Sequence, residues 1–301
     1  MPGGVVAPPE LVAAWQTDAY PHGIRAERSL TVISLVFTPI AFVVVLARLY
    51  DRAFVRRNAG LDDLLMVASL FPLTGLCICT ILSEHLYGFD RHTWDLTVDL
   101  IAPSRKLVLS ISILSLSTCG LIKISILLFY RRIGAVKPWF RTTINLNIGF
   151  IACYTLAFAL ALPFECTPIA AYWLKADPRW TAAHPDYRCV DEGAKQVIAA
   201  ALSALQDLTA CVLPMALFWD LRISPRSKLA LSFVFGLGIF TCACALLRTA
   251  KLHHVFYATY DVTWAARWVF ALTLVEACLG AVIWGVWVWG RKEEDWKKWK
   301  W

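Results

Sequence analysis

The sequence predicts an all-α, polytopic membrane protein of seven transmembrane helices, with its N-terminus outside and its C-terminus in the cytosol. Three observations carry this. The 301 residues are 58% hydrophobic and 17% charged, whereas soluble domains run near a quarter charged, and the mean hydropathy is +0.58. Seven apolar segments, at about 30–50, 65–84, 107–130, 144–164, 196–219, 228–250 and 265–289, approach the roughly 20 residues that span about 30 Å of hydrocarbon. Finally, Lys and Arg are densest in the short segments on one side: Arg48 to Arg57, Arg131 to Arg141, Arg222 to Lys228 and Arg291 to Lys300. By the positive-inside rule that side is the cytosol. The net charge of +7 is therefore a topology signal rather than a nucleic-acid patch, and no nucleic-acid partner is expected. The chain divides into a polar, Pro-rich tail (1–29), a seven-helix domain (30–290) and a basic, Trp-rich cytosolic tail (291–301).

The first 29 residues have no apolar core and resemble neither a secretory signal nor a transit peptide. The first spanning segment is expected to serve as its own insertion signal, into the endoplasmic reticulum or plasma membrane. It ends in "ARLYDRAFVRR", where Arg48 and its neighbours are expected to snorkel to the inner surface. "GLDDLLM" opens the second helix, and Asp62 and Asp63 fall in a first turn where the helix dipole favours negative charge. Pairing with the nearby arginines is the alternative. The second loop, "SEHLYGFDRHTWDLTVDL", carries His85 and His92 among several acids and reads either as a solvated loop or as a structured cap at a pocket entrance.

The third helix is rich in hydroxyls (Ser110, Ser112, Ser115, Ser117, Thr118, Ser125), which in spanning helices bond their own backbone or glue neighbours. Lys123 lies within snorkelling range of its inner end, and a structural ion pair or functional amine is the alternative. Cys166 and Cys189 flank the long fourth loop. An oxidising compartment allows them to pair, closing a loop of about 24 residues for roughly 3 kcal/mol; two free thiols are the other possibility. The remaining eight cysteines fall in helices. Cys77 with Cys79, and Cys242 with Cys244, sit two residues apart, on opposite helical faces, and cannot grip one metal ion. No metal site is expected.

The fifth and seventh helices pose the chemical question. In "SALQDLTACVLP" and "TLVEACLG", Asp207 and Glu276 lie near the middle of their apolar runs. A charge there costs several kcal/mol unless it faces the bundle, is paired or is protonated. Both acids must point inward. Lys123 and Arg248 lie nearer helix ends, Arg248 reading as the outer cap of the sixth helix, so few cations are in reach. The acids are then neutral interhelical hydrogen-bonders, or ligand-binding or catalytic groups. Trp264 and Trp268, before Glu276, can shape an apolar cavity or stabilise cationic character.

"RLYDR" before "GLDDLL", then "YGFDRH", "LIKISILLFYRRI", "FECTPIAAYW" with a later "CVDE", "ALQDLTACVLPMALFWDLRIS" and "FGLGIFTCACALLR" together resemble the rhodopsin-domain integral membrane proteins of filamentous fungi. The resemblance covers residues 30 to about 285. Its polar positions would map to Asp62, Asp63, Gly88, His92, Lys123, Ser125, Arg131, Cys166, Cys189, Asp207, Pro214, Arg248 and Glu276. It implies a seven-helix fold and a place among receptor-like proteins and products of secondary-metabolite clusters. No retinal cofactor is expected, since the seventh helix, "WAARWVFALTLVEACLGAVIWGVWVWG", has no lysine for a Schiff base.

Two functions are consistent with this. One is a membrane-bound participant in making a lipophilic natural product, a cyclase or isomerase working by acid–base chemistry at Glu276 and Asp207. The other is a receptor-like sensor of a small lipophilic ligand, with a G protein as cytosolic partner. The candidate ligand-binding residues are His85, His92, Lys123, Arg248, Trp264 and Trp268. In either case the lipid bilayer and a small lipophilic molecule are the expected partners.

Overall fold

A computed structural model of the protein describes residues 8–15, 22–133, 138–175, 178–218 and 225–289. Seven long helices dominate: α1 (Ser29–Tyr50), α2 (Leu61–His85), α3 (Val98–Ile133), α4 (Pro138–Ala161), α5 (Glu192–Phe218), α6 (Pro225–Tyr257) and α7 (Val262–Trp289). Each contains a stretch long and apolar enough to cross a membrane, and the chain is an all-α, multi-pass membrane protein. The tail at 291–301 lies outside the described residues.

Large apolar side chains such as Leu35, Val43, Phe71, Leu146 and Leu160 are exposed on the outer faces of the helices, as hydrocarbon-facing positions require. Small and polar residues turn inward. α1 packs on α2 and α7, α2 on α3, α3 on α4, α5 on α6, and α6 on α7, while α4 and α5 touch sparingly. α7 is the most buried of the seven, and α4 and α6 the least. Its approach to α1 depends on Gly285: a Cβ there would sit 2.2 Å from Val44 Cγ1 and 3.3 Å from the Val44 carbonyl oxygen. Small residues allow such backbone proximity between spanning helices.

At one end, a two-residue antiparallel ladder pairs β1 (Cys166–Thr167) with β2 (Arg188–Cys189), and the disulfide Cys166–Cys189 closes the loop between α4 and α5. The loop is fastened to α3 by Arg105, whose Nη2 donates to the Tyr172 carbonyl at 3.2 Å. At this same end the second loop folds into a cap, turning at Gly88 with φ +77°, a backbone region that favours glycine. The N-terminal tail joins the cap. His22 and the Gly23 N–H hydrogen-bond Asp95 at 2.8 and 3.0 Å, and the Ala26 N–H donates to the Asp90 carbonyl at 2.7 Å. Glu84 of α2 caps α1, accepting from the N–H groups of Leu30 (3.2 Å) and Thr31 (2.9 Å). These are orphan donors that every helix start must satisfy.

The helices run beyond their sequence-predicted limits, furthest in α3 and α6. α3 begins at Val98 rather than near 107, and α6 extends to Tyr257 rather than 250. The added turns carry charge: Asp99, Lys106, Lys251, His253 and His254 are exposed, while Arg105 turns inward to the bundle.

Candidate functional site

Both midhelix acids point inward, and each has a cation. Lys123 of α3 lies 3.0 Å from Asp207 Oδ1 on α5, and its ammonium also donates to the Ser203 carbonyl (2.9 Å) and hydroxyl (3.0 Å). Arg248 of α6 faces Glu276 of α7, with Nε 3.0 Å from Oε2 and Nη2 3.3 Å from Oε1. The first contact is close without hydrogen-bond alignment, so Arg248 Nε and Glu276 Oε2 remain without a formal hydrogen bond. The Cys119 thiol, between the two pairs on α3, lies 3.9 Å from Glu276 Oε1. Four helices thus contribute to one ionic layer.

This corrects the expectation that the acids would find few cations. Lys123 does not snorkel to the inner surface: it is 5% exposed and bends across to α5. Arg248 does not cap a helix end, because α6 continues for two more turns and a half. In hydrocarbon a buried charge is tolerated when paired, and each of these pairs meets that condition.

Two cavities meet at this layer. The larger, about 270 Å³, extends from the layer toward the disulfide end. Cys119, Ser203, Gln206 and Arg248 line its floor, Arg105, Glu192 and Lys195 its upper wall, and Leu252, Phe256, Val269 and Phe270 its apolar side. The smaller, about 80 Å³, lies on the other side and is lined by Cys119, Lys123, Asp207 and Glu276. Its size is that of a few water molecules. The larger approaches the lower end of the range for small-molecule sites.

The upper wall has its own ion pairs. Glu192 accepts from Arg105 Nη1 (3.1 Å) and Nη2 (2.7 Å), from Lys175 (3.3 Å) and from the Tyr172 hydroxyl (3.3 Å). Burial raises the Tyr172 phenol above its usual range, and the Glu192 carboxylate raises it further. The Lys175 ammonium is pushed below its usual range, chiefly by burial and against the pull of Glu192. Lys195 pairs with Glu165.

The other sequence-predicted site residues are placed elsewhere. His92 stacks between Trp94 and Trp264, with ring centroids 4.5 and 4.1 Å away, and bonds Asp261 through Nδ1 at 2.5 Å. His92 and Trp264 thus fasten the cap to the start of α7, and neither lines the two cavities. His85 is on the surface, bonded to the Thr31 hydroxyl at 3.0 Å. Trp268 is 53% exposed on the outside of α7. The structure brings together Lys123, Asp207, Arg248 and Glu276, but not the two histidines and two tryptophans. Cys119, Ser203 and Gln206 were missed, although Gln206 adjoins Asp207 in sequence and Ser203 precedes it by one helical turn.

A second buried cluster occupies the opposite end. Arg52 pairs with Asp62 and, at 3.1 Å, with Asp63. Arg48 donates to the Trp284 carbonyl and lies 3.5 Å above that indole. Asp63 also caps α2, accepting from the Gly60 N–H at 2.8 Å, and the Ser125 hydroxyl donates to the Asp62 carbonyl at 2.5 Å. The two readings of the acidic pair are thus divided between them: capping by Asp63, arginine pairing foremost by Asp62. Arg48, expected to snorkel, is fully buried.

The profile of the "Fungal rhodopsin domain" family matches residues 47–286. "Fugralins biosynthesis cluster protein 2" of Gibberella zeae is 25% identical over 82% of this chain and 60% of its own. "Polyenoic acids biosynthesis gene cluster protein Ba17b" of Metarhizium anisopliae is 26% identical over 69% and 56%. "Receptor GIN3" of Arthrobotrys oligospora is 26% identical over 71% and 50%. The chain thus spans 60% or less of the length of these relatives. No solved structure matches it. The chain belongs to the fungal rhodopsin domain family.

Proposed function

We propose that this member of the fungal rhodopsin domain family takes part in making a lipophilic fungal secondary metabolite, holding an intermediate in the larger cavity with its reacting end at the ionic layer, where the smaller cavity is lined by Lys123, Asp207 and Glu276, and moving protons on it there. The observation that carries the reading is the ionic layer of Lys123–Asp207 and Arg248–Glu276 at the meeting of two cavities. Paired charges lining a buried cavity are the equipment of acid–base chemistry. Glu276, with Arg248 as counter-charge, acts as the base. The Lys123 ammonium, held by Asp207 and Ser203, is the proton donor. Removal of a proton at one carbon and its return at another is an isomerisation; protonation of an alkene or epoxide opens a cyclisation. The reading needs no retinal. It supports a topology with the disulfide end facing an oxidising lumen or the exterior. The names of two relatives place those proteins in biosynthesis clusters, in line with this proposal.

The test is metabolite profiling of the producing strain, a deletion strain, and strains carrying Glu276→Gln or Asp207→Asn at equal membrane abundance. Accumulation of the same intermediate in all three altered strains is expected. Unchanged product in both variants would end the acid–base reading.

A second reading, a receptor-like sensor coupling to a G protein, is favoured by the Arg48–Arg52–Asp62 cluster at the end opposite the cavity, and by the relative named as a receptor. Its mark would be a pathway silenced at the transcript level on deletion, and ligand-dependent association with a G-protein α subunit.

A further inference from the structure

The larger cavity has two unlike walls. α3 and α5 supply its polar side, including Arg105, Ser112, Lys195, Ser203 and Gln206, while α6 and α7 supply Leu252, Val255, Val269 and Phe270. Lys195 and Gln206 are eleven residues apart on α5, so the polar strip is about 16 Å long. An elongated amphiphile fits such a space better than a compact polar molecule.

Its charge is also one-sided. The charged side chains lining it are three bases, Arg105, Lys195 and Arg248, and one acid, Glu192. Glu192 is already saturated by Arg105, Lys175 and Tyr172. Glu165 and Glu276, the partners of Lys195 and Arg248, do not line this cavity. At the floor, Gln206 Nε2 is buried without a hydrogen-bond partner among the described residues. An amide nitrogen is a donor only, and leaving it unmet is costly. The missing partner is therefore an acceptor oxygen. Arg248 already shares its charge with Glu276, so the floor suits a single negative charge rather than a phosphate dianion. The sparse α4–α5 seam, where the Tyr154 hydroxyl donates to the Ala199 carbonyl at 2.7 Å, adjoins the same cavity.

We infer that the larger cavity takes a carboxylate on an apolar chain, the carboxylate lying at Gln206 Nε2 and Arg248 and the chain against α6 and α7. This rests on the reading above that the cavity is where the metabolite is handled, and it names the class of molecule.

The experiment is native mass spectrometry of the detergent-solubilised full chain at neutral pH. The protein is offered lauric acid, dodecanol, methyl laurate, dodecylamine and dodecyl phosphate in equal amounts. Laurate is expected to bind about tenfold more tightly than the ester or alcohol, the factor that one net hydrogen bond to a charged group supplies. Gln206→Leu should level that preference, and Gln206→Glu should turn it toward dodecylamine. Because the two variants make opposite predictions, a general loss of fold cannot imitate both. No binding by any probe, equal binding of all, or a preference for the amine or phosphate in the unaltered protein would overturn the inference. So would an unchanged laurate preference in both variants. Metabolite profiling separates the two proposals. A laurate preference with unaltered product in the Glu276 and Asp207 variants spares the ligand class and sinks the chemistry; the reverse pattern sinks only the ligand class.

Discussion

The bundle buries charge in two places, and the two are built differently. At the Arg48–Arg52–Asp62–Asp63 cluster, aromatic rings close the space: Arg48 lies 3.5 Å over Trp284 and 4.7 Å from the Phe129 centroid. Neither cavity reaches these charges. At the Lys123–Asp207 and Arg248–Glu276 layer, cavities lie on both sides, and Asp207 Oδ2 and Gln206 Nε2 are left without partners. Buried charge by itself therefore does not mark a site. Both places hold polar atoms without hydrogen-bond partners among the described residues, Arg48 Nε and Nη2 and Asp63 Oδ1 at the first; what distinguishes the second is that its unmet atoms face empty volume, the condition in which a ligand gains what the protein has left unmet.

The sharpest way to break that comparison is to remove one acid from each place. Asp62→Ala takes from Arg48 and Arg52 a shared carboxylate in a packed environment that water does not enter, leaving Arg52 with Asp63 and the Asn58 carbonyl, and breaking a buried pair in this way costs about 3–5 kcal/mol. Asp207→Ala strands Lys123 beside a cavity that can admit water, and Lys123 keeps the Ser203 carbonyl and hydroxyl. The apparent melting temperature in detergent should fall much further for Asp62→Ala. Equal falls would mean that the two clusters are the same kind of structural ion pair.

A smaller effect on stability, with a larger one on function, is expected from replacing both partners. The double variant Lys123→Met with Asp207→Leu removes two charges that were costly to desolvate and refills part of their volume. Such replacements are commonly neutral or stabilising by about 1–4 kcal/mol. The melting temperature should hold or rise while product formation, measured in the producing strain, is lost. A double variant that is both stable and productive would show that this pair only holds helices together.

The sequence made the seven helices legible because a spanning helix declares itself locally, by about 20 apolar residues in a row. It also showed that Asp207 and Glu276 must face inward, since a charge in hydrocarbon has few alternatives. It did not show which cations meet them. Lys123 and Asp207 are 84 residues apart, and nothing in their neighbourhoods encodes which helix faces which. Arg105 was hidden for another reason, and Arg248, although a candidate, read as a helix cap. The outer ends of α3 and α6 carry polar residues and read like loop, so both helices extend beyond their apolar runs. His92 and Trp264 show the converse error: residue types suited to ligand binding serve instead to stack a cap on α7.

The finest test of the contrast uses two buried serines. Ser125 donates to the Asp62 carbonyl at 2.5 Å inside the packed cluster. Ser203 accepts from Lys123 at 3.0 Å beside the cavity, where its own carbonyl accepts from the same ammonium. Ser125→Ala removes a second donor from a carbonyl that keeps only its own helical bond and leaves a small void in a packed site, at a cost of roughly 1 kcal/mol. Ser203→Ala removes one of several oxygens around an ammonium that retains Asp207 and a carbonyl, and water can take the vacated position. The melting temperature should therefore respond to Ser125→Ala and scarcely to Ser203→Ala, whereas product formation should respond in the opposite order. If Ser203→Ala destabilised the bundle as much as Ser125→Ala, the cavity floor would be as tightly packed as the far cluster, and its empty volume would no longer set it apart.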